Sequence, residues 1–174
     1  MAYIDERSAY GVDTNIVYGH EVQYSFTVYG FIYTESLYFT RQYETMCREL
    51  PTLWEIGVRF QRTWSNKSIL CHLSVKRIDN SPTVVRASST VKFHNVQLQQ
   101  LGRVISFQMM EITRGQEVQR TADPVLTPTE MASLFGQELK VRVSLKVTSC
   151  HQRKQNYDPL TSLSADMDKM FFPK

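Results

Sequence analysis

The sequence predicts an α+β fold, a mainly antiparallel sheet packed with one main amphipathic helix and short helices. Three observations carry that expectation. Several segments alternate apolar and polar residues with period two, as half-buried strands do. Residues 36–50 switch to helical spacing. Thr127-Pro128-Thr129-Glu130 has the form of a helix start. The 174 residues suit one domain and would cramp a second core. They divide into an extended N-terminal arm over 1–20, a single α+β domain over 21–150 and a C-terminal tail over 151–174.

In chain order, Val22, Tyr24, Phe26 and Val28 alternate with Gln23, Ser25 and Thr27, which predicts a strand within 21–34. Beyond Tyr29 both faces turn apolar. Phe39, Tyr43, Met46, Cys47 and Leu50 then fall on one helical stripe, and Pro51 ends it. Residues 52–64 fit either period: Trp54, Ile56, Val58 and Phe60 as a strand, Leu53, Ile56, Gly57, Phe60 and Trp64 as a helix. The length of the run without a turn signal favours helix. Residues 68–78 and 83–93 alternate on either side of Asp79-Asn80-Ser81-Pro82 and read as a hairpin. A strand is expected over 103–112, then a polar loop over 113–126. Thr127 can cap a short helix running to Phe135, with Pro128 at its first position, Glu130 closing the capping box and Gly136 stopping it. Residues 139–149 form the cleanest strand, with Leu139, Val141, Val143, Leu145 and Val147 inward and Lys140, Arg142 and Lys146 outward.

Charge and aromatic residues are distributed unevenly. Half the aromatic residues lie before position 40, where Arg7 is the only base against Asp5, Glu6, Asp13, Glu21 and Glu35. The first lysine is Lys67, and the whole chain carries +3. A sticky, mildly acidic front on a basic body suits self-association and contact with phosphate or lipid head groups. No segment reads as a transmembrane helix, and no basic-then-apolar leader opens the chain. Three scattered cysteines are too few for a disulfide framework.

Catalytic signatures are missing. No G-x-S-x-G elbow, P-loop or dinucleotide glycine fingerprint occurs, no paired carboxylates lie in apolar context, and no family signature surrounds a cysteine. The chain is therefore not read as an enzyme, and no cofactor is expected. Cys71-His72 and Cys150-His151 invite a metal reading, but neither arm has the close ligand pair of a structural zinc site. Adjacent residues on a strand also face opposite ways. Both dipeptides read as core cysteines beside exposed histidines, with no metal expected. Lys140, Arg142 and Lys146 share one strand face, and Lys76, Arg86 and Lys92 lie on the polar faces of the expected hairpin. Together they are the candidates for membrane or acidic-partner binding. Tyr3, Tyr10 and Tyr18, in a stretch without periodicity, and Met170, Phe171 and Phe172 near the C-terminus are the candidates for self-association.

The run VQYSFTVYGFIY, then SLYFTRQYETMCREL, then ILCHLSVKRIDNSPTVVRASSTVKF resembles the matrix proteins of rhabdoviruses, in particular the short ones of plant-infecting members. The resemblance spans roughly residues 20–150 and implies a structural role in the virion. Such a protein self-associates, condenses the nucleoprotein–RNA complex and bridges it to the envelope. The partners implied are further copies of the chain, the viral nucleoprotein–RNA complex, the anionic inner leaflet and the glycoprotein cytoplasmic tail. The location implied is beneath the envelope, and in the host cytoplasm in association with membrane. The arm here is acidic and tyrosine-bearing, without the family's lysine-rich segment or a PPxY or P[TS]AP motif. Lipid contact would thus come from the basic body. The alternative is a small cellular α+β binding or adaptor module that uses its sheet for a peptide or small molecule.

Overall fold

The computed structural model describes residues 1–16, 18–63 and 68–151, with the side chains of 6–9 left aside. Its strands are β1 (Tyr3–Ile16), β2 (Gly19–Tyr29), β3 (Ser36–Glu44), β4 (Leu53–Arg62), β5 (Ile69–Arg77), β6 (Val85–His94), β7 (Gln100–Ile112), β8 (Glu117–Ala122) and β9 (Glu138–Thr148). A 3-10 turn at Phe31–Tyr33 and one short helix, α1 (Pro128–Ser133), complete it. Strand accounts for 63% of the described residues and helix for 6%, so the architecture is all-β and the expected α+β class is corrected.

Two antiparallel sheets face each other. One has the order β1-β2-β9-β6-β7, the other β3-β4-β5-β8. The inner faces meet through aromatic rings. Phe26 of β2 stacks on Phe39 of β3 at 4.1 Å, and Phe60 of β4 meets Phe93 of β6 edge-on at 6.1 Å. Aliphatic side chains fill the remainder: Val22 and Val28 from β2, Leu139 to Val147 on alternate positions of β9, Ile56 and Val58 from β4, and Leu73 and Val75 from β5. This is the sandwich solution, in which each sheet buries one face and wets the other.

Four expectations are corrected. The main helix over 36–50 is instead β3 followed by a loop. Phe39 and Tyr43 are four apart, a spacing that satisfies both periods. Arg41 sits between them on the inward parity with its guanidinium 4.8 Å above the Phe39 ring, which hides the alternation. In place of the helix expected over 52–64, Leu53–Arg62 form β4, because all of Trp54, Ile56, Val58 and Phe60 are fully buried on one face. The segments 69–77 and 85–94 are both strands but no hairpin, for β5 and β6 belong to different sheets. The link between them is organised by fully buried Arg77, whose Nε and an Nη hold the Asp79 carboxylate at 2.8 and 2.9 Å while it also donates to the carbonyls of Thr83 and Ile112. The loop expected over 113–126 contains β8, a sheet-edge strand pairing with β5.

The helix start holds. Thr127 and Glu130 form a reciprocal capping box with Pro128 inside it, and Gly136 at φ 70 follows the helix. Glu130 also accepts from the Gly102 amide at 2.7 Å, which ties α1 to β7 and holds the carboxyl below its usual range.

Candidate functional site

The outer face of the five-stranded sheet gathers most of the predicted basic residues. On central strand β9, Lys140, Arg142 and Lys146 point outward. On neighbouring β6, Arg86 and Lys92 do the same. Register places Lys92 directly opposite Arg142, and His94 opposite Lys140. At the other end Lys146 faces Glu21 across the β2 pairing, and Arg86 faces Glu111 across the β7 pairing. Acid also stands beyond Lys140, where Glu138 shares its face of β9 two residues away and Asp5 pairs with Thr27. The Lys92–Arg142–Lys140 end has neutral cross-strand neighbours on β2, Ser25 and Thr27. Lys76 lies elsewhere: it is on β5 in the other sheet, opposite Glu55 and Glu117.

That positive end is hollowed. A cleft of about 230 Å³ is lined by Lys92, Arg142, His94, Gln100, Thr90, Ser144, Gln23 and Glu21. A second hollow of about 350 Å³ lies over Ser25, Thr27, Lys140 and Arg142, walled by Tyr10 and Leu98. Burial, then the charges of Arg142 and Lys92, hold the His94 imidazole below its ordinary pKa, so it is neutral at pH 7. The arrangement offers two fixed cations, a titratable imidazole and a row of hydroxyl and amide groups, a set suited to phosphate oxygens.

Beside this face runs β1, a sheet edge fourteen residues long that contains neither lysine nor proline. Tyr3 stacks on Tyr29 at 5.1 Å, and Tyr10 pairs with Ser25, which puts both rings on the same outer face as the bases. Tyr3, Tyr10 and Tyr18 are 54%, 59% and 58% exposed, with Val12 beside them at 50%. The segment expected as an arm is extended, and it is hydrogen-bonded along β2 through two stretches separated by a register shift between Asp5 and Tyr10. Met170, Phe171 and Phe172 lie outside the described residues.

The structure also assembles a group for which no metal was expected. His20 at the start of β2, Cys47 in the β3–β4 loop, and Cys150 and His151 just past β9 each bring a ligand atom to one place, all within 4.8 Å of one another. The two imidazole Nε2 atoms are 3.1 Å apart. His20, Cys47 and Cys150 are buried and all three cysteines are free thiols. Close approach is built in at Gly19, where a Cβ would come within 1.9 Å of the Val147 carbonyl oxygen. The strand argument applies to Cys71 and His72, which point to opposite faces of β5, His72 bonding Thr121 at 2.6 Å. It does not apply to Cys150 and His151. Ser149 adopts φ 65, ending β9 and its alternation so that both side chains turn to the same spot.

Compared with protein-family models and with curated proteins, the sequence matches none. No helix among the described residues is long and apolar enough to cross a membrane.

Proposed function

We propose that the chain is a structural protein of the matrix type. It associates with copies of itself through the β1 edge and lays the Lys92–Arg142–Lys140 end of its sheet on an anionic membrane leaflet, bridging that leaflet to a nucleoprotein–RNA complex. The observation that carries this reading is the sharing of one face by the exposed tyrosine edge and the basic cleft, whose lining sets Lys92, Arg142 and His94 against the single carboxylate of Glu21. An edge strand that pairs on one side alone among the described residues, with exposed aromatic rings, is a ready surface for a second copy. Several bases at about 1 kcal/mol each give reversible lipid binding, which an array would strengthen by avidity. The reading rests on this surface chemistry and no longer on element order, since the helix that contributed to the rhabdovirus matrix resemblance is strand β3.

Concentration-dependent sedimentation tests the assembly half. Tyr10→Lys should weaken self-association about tenfold, equivalent to ~1.4 kcal/mol, with thermal unfolding unchanged. A wild-type chain that stays monomeric at every concentration would refute it. Flotation with phosphatidylserine vesicles tests the lipid half. Binding should fall steeply with salt, and salt-insensitive or absent binding would return the chain to the small binding-module reading.

A further inference from the structure

We propose that His20, Cys47, Cys150 and His151 form a structural zinc site. Two thiols and two imidazoles are the donor set that soft, four-coordinate zinc selects over the oxygen-seeking cations. With Zn–N near 2.0–2.1 Å and Zn–S near 2.3 Å, a regular tetrahedron has edges of about 3.3 Å between nitrogens and about 3.8 Å between sulfurs. The imidazole nitrogens already stand 3.1 Å apart, and every other pair falls within 4.8 Å, so side-chain adjustments of about an ångström close the polyhedron. The rings lie nearly perpendicular, at 82°, with centroids 5.0 Å apart, so both can approach one ion without clashing.

Charge favours the same conclusion. Two thiolates balance the divalent ion, so the filled site is neutral and can be buried at low cost. Without an ion, the four side chains are left packed against one another. Cys47 then donates weakly to the Cys150 carbonyl at 3.3 Å, and the His20 Nδ1 stays buried with no partner among the described residues. Four protein ligands leave no open coordination position, which marks the role as structural and not hydrolytic. The ligands come from three separated parts of the chain: the turn into β2, the β3–β4 loop, and the end of β9. One ion would thus clip both sheets together at the end of the last described strand.

The test uses the full untagged chain, reduced, incubated with excess zinc and desalted. Metal analysis should find close to one zinc per chain. Cys47→Ser and His20→Gln should each lose most of it, and a chelator should lower the thermal midpoint of the wild type but not of the variants. Retention of the full equivalent by either variant, absence of zinc in the wild type, or a Cys47–Cys150 disulfide in its place as read by mass spectrometry would overturn the proposal. Should the variants fail to fold, cobalt substitution in the wild type decides. Intense tetrahedral bands in the red with a thiolate charge-transfer band in the near ultraviolet support the site, and the weak spectrum of an octahedral ion refutes it.

Discussion

Lys92→Gln should make the fold more stable and lipid binding weaker, two effects of opposite sign from one substitution. Lys92 stands directly opposite Arg142 on adjacent strands, and both are exposed. At a separation of about 6 Å in high dielectric, two like charges repel by roughly 0.7 kcal/mol before screening. That falls in the range of ~0.2–1 kcal/mol seen for cross-strand pairs. Neither base forms an ion pair among the described residues to offset it. Removing one charge should therefore raise unfolding stability by about 0.5 kcal/mol at low salt, a gain that fades as the Debye length shrinks. The same change removes a cation worth about 1 kcal/mol at an anionic surface, a loss of roughly fivefold in vesicle partitioning. Urea unfolding at two ionic strengths and vesicle flotation at low salt read the two quantities. If Lys92→Gln destabilises the fold and leaves partitioning intact, the cation is ordinary surface solubilisation and the cleft is not a binding site.

His94 should give the proposed lipid contact a pH dependence. Its free imidazole is held low by burial and by Arg142 and Lys92; a bound phosphate neutralises those cations and raises it, so binding takes up a proton. Vesicle affinity should increase as pH falls from neutrality toward about 5.5, and His94→Gln should flatten that slope in the same flotation assay. Arg77→Met should cost about 2–3 kcal/mol in urea unfolding, toward the lower side of a broken buried pair, because it strands the partly buried Asp79 carboxylate and the Thr83 and Ile112 carbonyls. Burial alone would raise Asp79, yet Arg77 and the amides of Leu53 and Ser81 hold it below the ordinary carboxyl value. Its stabilisation is thus present above the unfolded carboxyl pKa and is lost as pH falls through the lower folded value, so Asp79→Asn should flatten the acid limb of the stability curve. Gly102→Ala should destabilise by more than ~1 kcal/mol, since φ is +61 and the new Cβ meets the Val125 oxygen at 2.3 Å. Gly115→Ala, at φ +74 with nothing within 4 Å, should cost only the backbone contribution and serves as the control.

Strands with an unbroken run of apolar inward positions were legible in the chain, β9 along its whole length and β5 from Ile69 to Val75, before buried Arg77. Where one inward position carries a charge the pattern blurs. Arg41 is tolerated half-buried on the inward parity because its guanidinium sits 4.8 Å over the Phe39 ring and donates to the Thr40 carbonyl, a side-chain placement that apolar periodicity does not report. Strand β8 was hidden for a different reason. Only Val118 and Ala122 are buried, and its place is settled by backbone pairing with β5, which side-chain periodicity does not report. The capping box could be read directly because all its partners lie within four residues.

The same division between local and assembled features separates the two sites. The basic face needed only the parity of β9 and β6, and it failed at Lys76 alone, where the turn at 79–82 carries the chain between sheets instead of closing a hairpin. The cysteine–histidine group draws on residues as far apart as 20, 47 and 150, and no ligand spacing along the chain resembles a zinc motif. Two features pointed to it. A Cys-His dipeptide standing at the end of a strand, not within it, escapes the opposite-face rule, and a glycine one residue before a histidine allows backbones to meet. Both become informative only once Gly19 is seen against Val147, with β2 and β9 paired across more than a hundred residues of intervening chain. A β-sandwich that inserts its last described strand at the centre of a sheet thereby brings its C-terminal flank to the start of its second strand. Any chain of this topology can build a ligand cluster there that its sequence shows only as scattered residues.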